Sequence, residues 1–151
     1  NLLREVEKIN VGRISMVINK LKETLWIIKG KTIGILGLAF KPNTDDIRFA
    51  PSIEIIKELL GEGAHVKAYD PQAMEKTKKQ FAGEVHYCKD PYEVATDADG
   101  LVICTEWEEF KKLDLEKIRA RMKRPFILDG RNIYEKEKCL NLEFEYMGIG
   151  R

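Results

Sequence analysis

From Lys31 onward the chain alternates short apolar runs with amphipathic or polar stretches. Runs of strand length occur at Thr32–Leu38, His65–Tyr69, Val85–Tyr87, Leu101–Cys104, Phe126–Asp129 and Phe144–Tyr146. Between them, three-and-four spacing of apolar residues predicts helices over Pro51–Leu60, Ala73–Phe81, Pro91–Ala95 and Leu115–Met122. Pro51 and Pro71 stand at or just before a first turn, where proline is tolerated. Gly61 and Gly63 punctuate the end of the first of these helices. Ahead of this pattern, Leu2, Val6, Ile9, Ile14, Val17, Ile18, Leu21, Leu25 and Ile28 recur at helical spacing, predicting one long helix over Leu2–Lys29. Met16, Trp26 and Ile27 widen its apolar stripe sideways. That width leaves two readings open, a helix packed on its own sheet and a helix that offers a surface to a partner.

Strands joined through helices imply a mostly parallel sheet with right-handed crossovers. The expected fold is α/β: a Rossmann-like, doubly wound sheet in the order 3-2-1-4-5-6, preceded by a long N-terminal helix. Residues 1–30 form the helix and 31–151 the sheet domain in this division. Ligands of such sheets sit in the crevice at the carboxyl ends of the strands. Two polar segments fall at that edge, Phe40–Arg48 after the first strand and Asp129-Gly130-Arg131 after the fifth. They can meet one ligand although they are distant in sequence.

A chain of 151 residues is long enough for one domain with its own core. Its 26 Lys and Arg balance 25 Asp and Glu, leaving a net charge of +1, which gives no footprint for nucleic acid. The basic run Arg119–Arg124 reads as a helix end, where cations favour the dipole. Cys88, Cys104 and Cys139 form no CxxC pair, which argues against both a disulfide framework and a zinc site; Cys104, in LVIC, reads as a small buried hydrophobe. The absence of a signal peptide and of a membrane-length apolar run predicts a cytoplasmic protein with no membrane partner. Asp45 and Asp46 invite an acid/base or metal reading, but such pairs more often anchor backbone N–H groups or pair with Arg48, and no metal is expected. Asp70 ends the second strand, where a dinucleotide fold places its ribose-binding acid. Gly34 and Gly37 lack the spacing of that fingerprint, and Asp70-Pro71 is a good turn starter, so a turn is the preferred reading. His65 and His86 stand alone on strand segments and read as structural.

The segment GLAFKPNTDDIR, Gly37 to Arg48, resembles the signature of the UDP-sugar 6-dehydrogenase family, and it is long and specific. The resemblance continues through His65-Val66-Lys67-Ala68-Tyr69-Asp70-Pro71, Thr105-Glu106-Trp107, Leu128-Asp129-Gly130-Arg131 and Gly148-Ile149-Gly150-Arg151, in the family's order. It implies a UDP-sugar-binding domain of an NAD-dependent enzyme that oxidises a C6 alcohol to a carboxylate in two hydride transfers. UDP-glucose and an N-acetylated UDP-hexosamine are both open as substrates. Only the C-terminal third of a typical member is covered. The chain is therefore expected to be an inactive fragment, without the NAD fingerprint, the catalytic cysteine segment or any catalytic residue. A free-standing nucleotide-sugar binding module is the rival reading.

By the same resemblance Lys41 contacts the UDP-sugar, and the bare alternative is a solvated loop lysine. Pro42 stiffens its loop, and an ammonium at this edge suits a diphosphate or a sugar hydroxyl. Phe40 offers a face on which uracil can stack, or packs in the core. Arg131 is implied to contact substrate; a salt bridge to Asp129 or Glu135 is the alternative. Arg48 corresponds to an arginine that reaches the NAD of the missing N-terminal domain, so it is expected to hold nothing here. The chain departs from the family where Phe49-Ala50 replaces Glu-Ser after Arg48, which puts the NAD side in doubt more than the UDP side. The long helix is implied to join two domains and to build a homodimer.

Overall fold

The computed structural model describes residues 2–149, with backbone alone over residues 2–11. Six strands form one all-parallel sheet in the order β3-β2-β1-β4-β5-β6, the order expected from the crossover pattern. They are β1 (Thr32–Leu36), β2 (His65–Tyr69), β3 (Val85–Tyr87), β4 (Gly100–Ile103), β5 (Phe126–Asp129) and β6 (Glu145–Gly148). The helices are α1 (Leu2–Leu25), α2 (Pro51–Gly61), α3 (Met74–Phe81), α4 (Pro91–Ala95), α5 (Glu108–Lys111), α6 (Leu115–Arg121) and α7 (Lys136–Asn141).

The central strands β4 and β5 are buried along their whole length, as parallel strands covered on both faces must be. β2, nearer the edge, alternates between buried and partly exposed positions. In α1, Ile14, Val17, Ile18, Leu21 and Leu25 are buried against α2 and the sheet, so this half of the helix belongs to the same core. The helix stops at Leu25 and does not reach Lys29. Trp26 adopts φ 64°, outside the helical region, and the backbone turns there. α5 and α7 are missing from the sequence expectation: they are too short to display a period and, unlike the equally short α4, do not open on a proline. Met16, Trp26 and Ile27 are exposed, Trp26 at 87%.

Candidate functional site

β1 ends at Leu36, and the next three residues are held by side chains from three other segments. Gly37 takes φ 97°, and a Cβ there would lie 2.5 Å from Thr105 Cβ, so only glycine fits. The Leu38 and Ala39 amides donate to Asp70 Oδ2 at 2.7 and 3.0 Å. Ser52 Oγ donates to the Leu38 carbonyl at 3.0 Å, and Thr105 Oγ1 to the Ala39 carbonyl at 2.7 Å. Asp70, fully buried, also accepts from Trp107 Nε1 at 3.1 Å and, on Oδ1, from the Gln72 and Ala73 amides at 2.8 Å. The turn read from Asp70-Pro71 is present. Sequence reasoning missed that the same carboxylate closes the β1 exit and that Trp107 is its partner.

The rigid exit delivers Phe40 and Lys41 to the carboxyl edge of the sheet. The Phe40 amide donates to the Asp46 carbonyl at 2.8 Å, closing a loop on which Lys41 is exposed. Phe40 is 43% exposed, which rules out the core-packing alternative. Arg48 does hold a group: its Nε and Nη2 donate to Asp46 at 3.0 and 2.8 Å, and its amide donates to Oδ1 at 2.9 Å. These bonds hold the Asp46 carboxyl at about 2, below its usual value. Asp45 pairs instead with Lys76 at 3.1 Å. Asp46 thus takes the anchoring role read for the pair, whereas Asp45 turns to α3 and does not meet Arg48.

Arg131 reaches the same edge from β5. Gly130 crosses so close to β4 that a Cβ would sit 2.7 Å from the Ile103 carbonyl, to which its own amide donates at 3.0 Å. Asp129 is buried and accepts from the Arg131 amide at 3.2 Å, the Tyr134 amide at 3.0 Å and the Tyr146 hydroxyl at 2.7 Å. The side-chain partner of Arg131 is neither Asp129 nor Glu135. Its Nε donates to Glu106 Oε2 at 2.8 Å and its Nη2 makes a second, shorter bond to the same oxygen. Glu106 comes from the loop after β4, which sequence spacing could not bring beside β5. Thr105, Glu106 and Trp107 therefore tie three things together: the Ala39 carbonyl, Arg131 and Asp70. Lys41 follows β1 and Arg131 follows β5, two strand spacings apart, or about 10 Å across the sheet. Arg13 of α1 lines a small recess with Gly130 and Arg131, a second guanidinium that sequence reading did not single out.

Arg48 and Phe49 line a separate open concavity of about 590 Å³, with Ile14 of α1 and Pro51, Ile53 and Lys57 of α2. Neither Lys41 nor Arg131 borders it. Cys104 is buried, and desolvation pushes its thiol up to about 12; Cys88 is pushed up to about 11 for the same reason. Both are buried small side chains and poor nucleophiles. The first strand-to-helix turn does not fit the pyrophosphate of NAD. A Cβ on Gly34 would meet Val94 and Leu101, Gly37 is closed off by Thr105, and both Asp70 oxygens are occupied by N–H donors. These glycines serve internal packing rather than a phosphate cradle.

Residues 34–136 match the profile of the UDP-glucose/GDP-mannose dehydrogenase family, UDP binding domain. The chain is 47% identical over 124 residues, 82% of its length, to the UDP-glucose 6-dehydrogenase of Rhizobium meliloti, and covers 28% of that protein. It is 40% identical over 150 residues, 99% of its length, to UDP-glucose 6-dehydrogenase TuaD of Bacillus subtilis, and covers 32% of it. Among solved structures, a UDP-glucose dehydrogenase of Pyrobaculum islandicum superposes with a TM-score of 0.78 at 31% identity, over 95% of this chain and 30% of that one. A UDP-D-ManNAc dehydrogenase of Pyrococcus horikoshii gives a TM-score of 0.74 at 28% identity, over 96% and 31%. The chain thus spans about a third of the length of the curated relatives it matches. The Gly37–Arg48 segment and strands β2 to β5 lie within residues 34–136, and the chain belongs to the UDP-glucose/GDP-mannose dehydrogenase family, corresponding to its UDP-binding domain.

Proposed function

We propose that this chain is the nucleotide-holding part of an NAD-dependent UDP-sugar 6-dehydrogenase, with the UDP moiety seated at the carboxyl edge between Lys41 and Arg131. The observation that carries the reading is topological: the Phe40–Arg48 loop leaves β1 and Arg131 leaves β5 at the same carboxyl edge, on either side of β4, where open parallel sheets take their ligands. Lys41 supplies a mobile point charge, Arg131 a planar fork, and exposed Phe40 a face for the uracil ring. Glu106 now holds the Arg131 fork, so an arriving phosphate competes with it for the guanidinium. Binding the remote nucleotide positions the sugar C6 and lowers the entropic part of the barrier.

NAD, the hydride acceptor, and the reacting nucleophile belong in this proposal to the remaining two-thirds of such a polypeptide. Arg48, mostly exposed beside the large concavity, is the residue of this chain that faces outward for the cofactor side. UDP-glucose is the favoured substrate, because the curated relatives named above carry that activity in their names. The exposed Met16, Trp26 and Ile27 support a homodimer built through α1, with residues 1–30 as the connecting element. Among the described residues no helix is long and apolar enough to cross a membrane, and a cytoplasmic setting is part of this proposal.

The test is the number of NADH formed per UDP-glucose consumed by the polypeptide completed to the length of its relatives. Two NADH support the reading, with Lys41→Ala and Arg131→Ala raising KM at least tenfold. No NADH with UDP-glucose or any N-acetylated UDP-hexosamine would favour a binding module without chemistry.

A further inference from the structure

His86 lies on β3 and Cys88 one residue past its end, and the Cys88 sulfur and an imidazole nitrogen of His86 lie within 4.8 Å of each other. α4 begins directly after this segment. Asp90 caps the helix by accepting from the Glu93 amide at 2.8 Å, and this fixes the turn that brings the Glu93 carboxylate back over the strand. Glu93 Oε1 then lies 3.8 Å from His86 Nε2. The imidazole nitrogen, the Cys88 sulfur and a Glu93 oxygen all fall within 4.8 Å of one another. One soft sulfur, one imidazole and one carboxylate within eight residues make a donor set of transition-metal type.

We propose that His86, Cys88 and Glu93 bind a Zn²⁺ ion, with a fourth position left to water. Tetrahedral zinc with bonds of about 2.0–2.3 Å places its donors about 3.3–3.8 Å apart. The His86–Glu93 pair is already at 3.8 Å, and the remaining closure falls to the side chains of exposed His86 and partly exposed Glu93. Cys88 is buried and anchored, its amide donating to the Ala68 carbonyl at 2.9 Å, and supplies the fixed corner. Lys67, the nearby cation, is committed to the Thr96 carbonyl at 2.8 Å. The site lies at the β3 end of the sheet, two strands from β1 and four from β5. Its consequence is mechanical: an ion there clips the three-residue edge strand β3 to α4. The cysteine spacing rule overlooked the site because it looks for CxxC pairs, whereas here His86 supplies the second ligand.

Titration of the chelator-treated chain with Co²⁺, read by absorption, tests the proposal. The expected result is one Co²⁺ per chain, with a thiolate-to-metal charge-transfer band and the intense visible bands of four-coordination, both removed by Zn²⁺. Cys88→Ser should abolish the charge-transfer band, and His86→Ala, at an exposed position, should weaken affinity at least tenfold with the fold intact. If Cys88→Ser does not fold, Glu93→Gln takes its place with the same tenfold expectation. A wild-type titration without the charge-transfer band would overturn the site. So would unchanged binding in His86→Ala, or a band that survives in Cys88→Ser.

Discussion

Replacing Asp70 with asparagine probes the physical core of the site without changing its shape. The buried carboxylate accepts from five N–H groups: Leu38, Ala39 and Trp107 Nε1 on Oδ2, Gln72 and Ala73 on Oδ1. Asparagine keeps one oxygen and presents an NH₂ in place of the other. Whichever way the amide turns, at least two buried donors then face a donor. Each buried donor left without an acceptor costs about 1–3 kcal/mol, so the variant should lose about 2–6 kcal/mol. For a chain of this length that is a fall of roughly 4–24 °C in Tm. Urea unfolding followed by circular dichroism gives the free energy directly, and thermal melts give the shift. Trp107→Phe removes one of the five donors and should cost less than Asp70→Asn. A loss below about 1 kcal/mol in Asp70→Asn would refute the claim that this carboxylate holds the β1 exit.

Gly37→Ala should destabilise by about 2–5 kcal/mol, because φ 97° is unfavourable to L-residues and the added Cβ meets Thr105; a melt within 2 °C of wild type would contradict this. Asp46 should titrate near 2 by carboxyl ¹³C NMR, and Arg48→Ala should return it toward 3.8. Its folded value is depressed, so its contribution to stability is present above about pH 4 and disappears as pH falls through about 2. A wild-type midpoint near 4 would show that the Arg48 pair does not persist in solution. If α1 carries a dimer interface, Trp26→Asp with Ile27→Asp should shift sedimentation to monomer, whereas a wild type already monomeric at all concentrations would remove the interface.

Strand order and the carboxyl-edge position of Lys41 and Arg131 were legible in the sequence, because apolar runs separated by helical periods leave few topologies. Helix ends were less so: nothing in the apolar spacing of α1 marks Trp26, whose backbone turns out of the helix. The site's polar contacts were the least legible. Glu106 meets Arg131 and Trp107 meets Asp70 only because β4 lies between β1 and β5 and carries both residues on its exit loop. Such pairs are products of topology, and no local pattern announces them. The spacing of Gly34 and Gly37 already set them apart from a dinucleotide fingerprint, but what they serve, close packing against Val94, Leu101 and Thr105, is visible only in the fold.

The central claim is that a nucleoside diphosphate binds at the edge shared by the Phe40–Arg48 loop and Gly130-Arg131. Titration of the ¹⁵N-labelled chain with UDP tests it residue by residue. The account predicts saturable amide shifts concentrated at Phe40, Lys41, Gly130 and Arg131, strongly weakened in Lys41→Ala and in Arg131→Ala. Shifts confined to the Phe49–Lys57 concavity, or none at millimolar UDP, would contradict it.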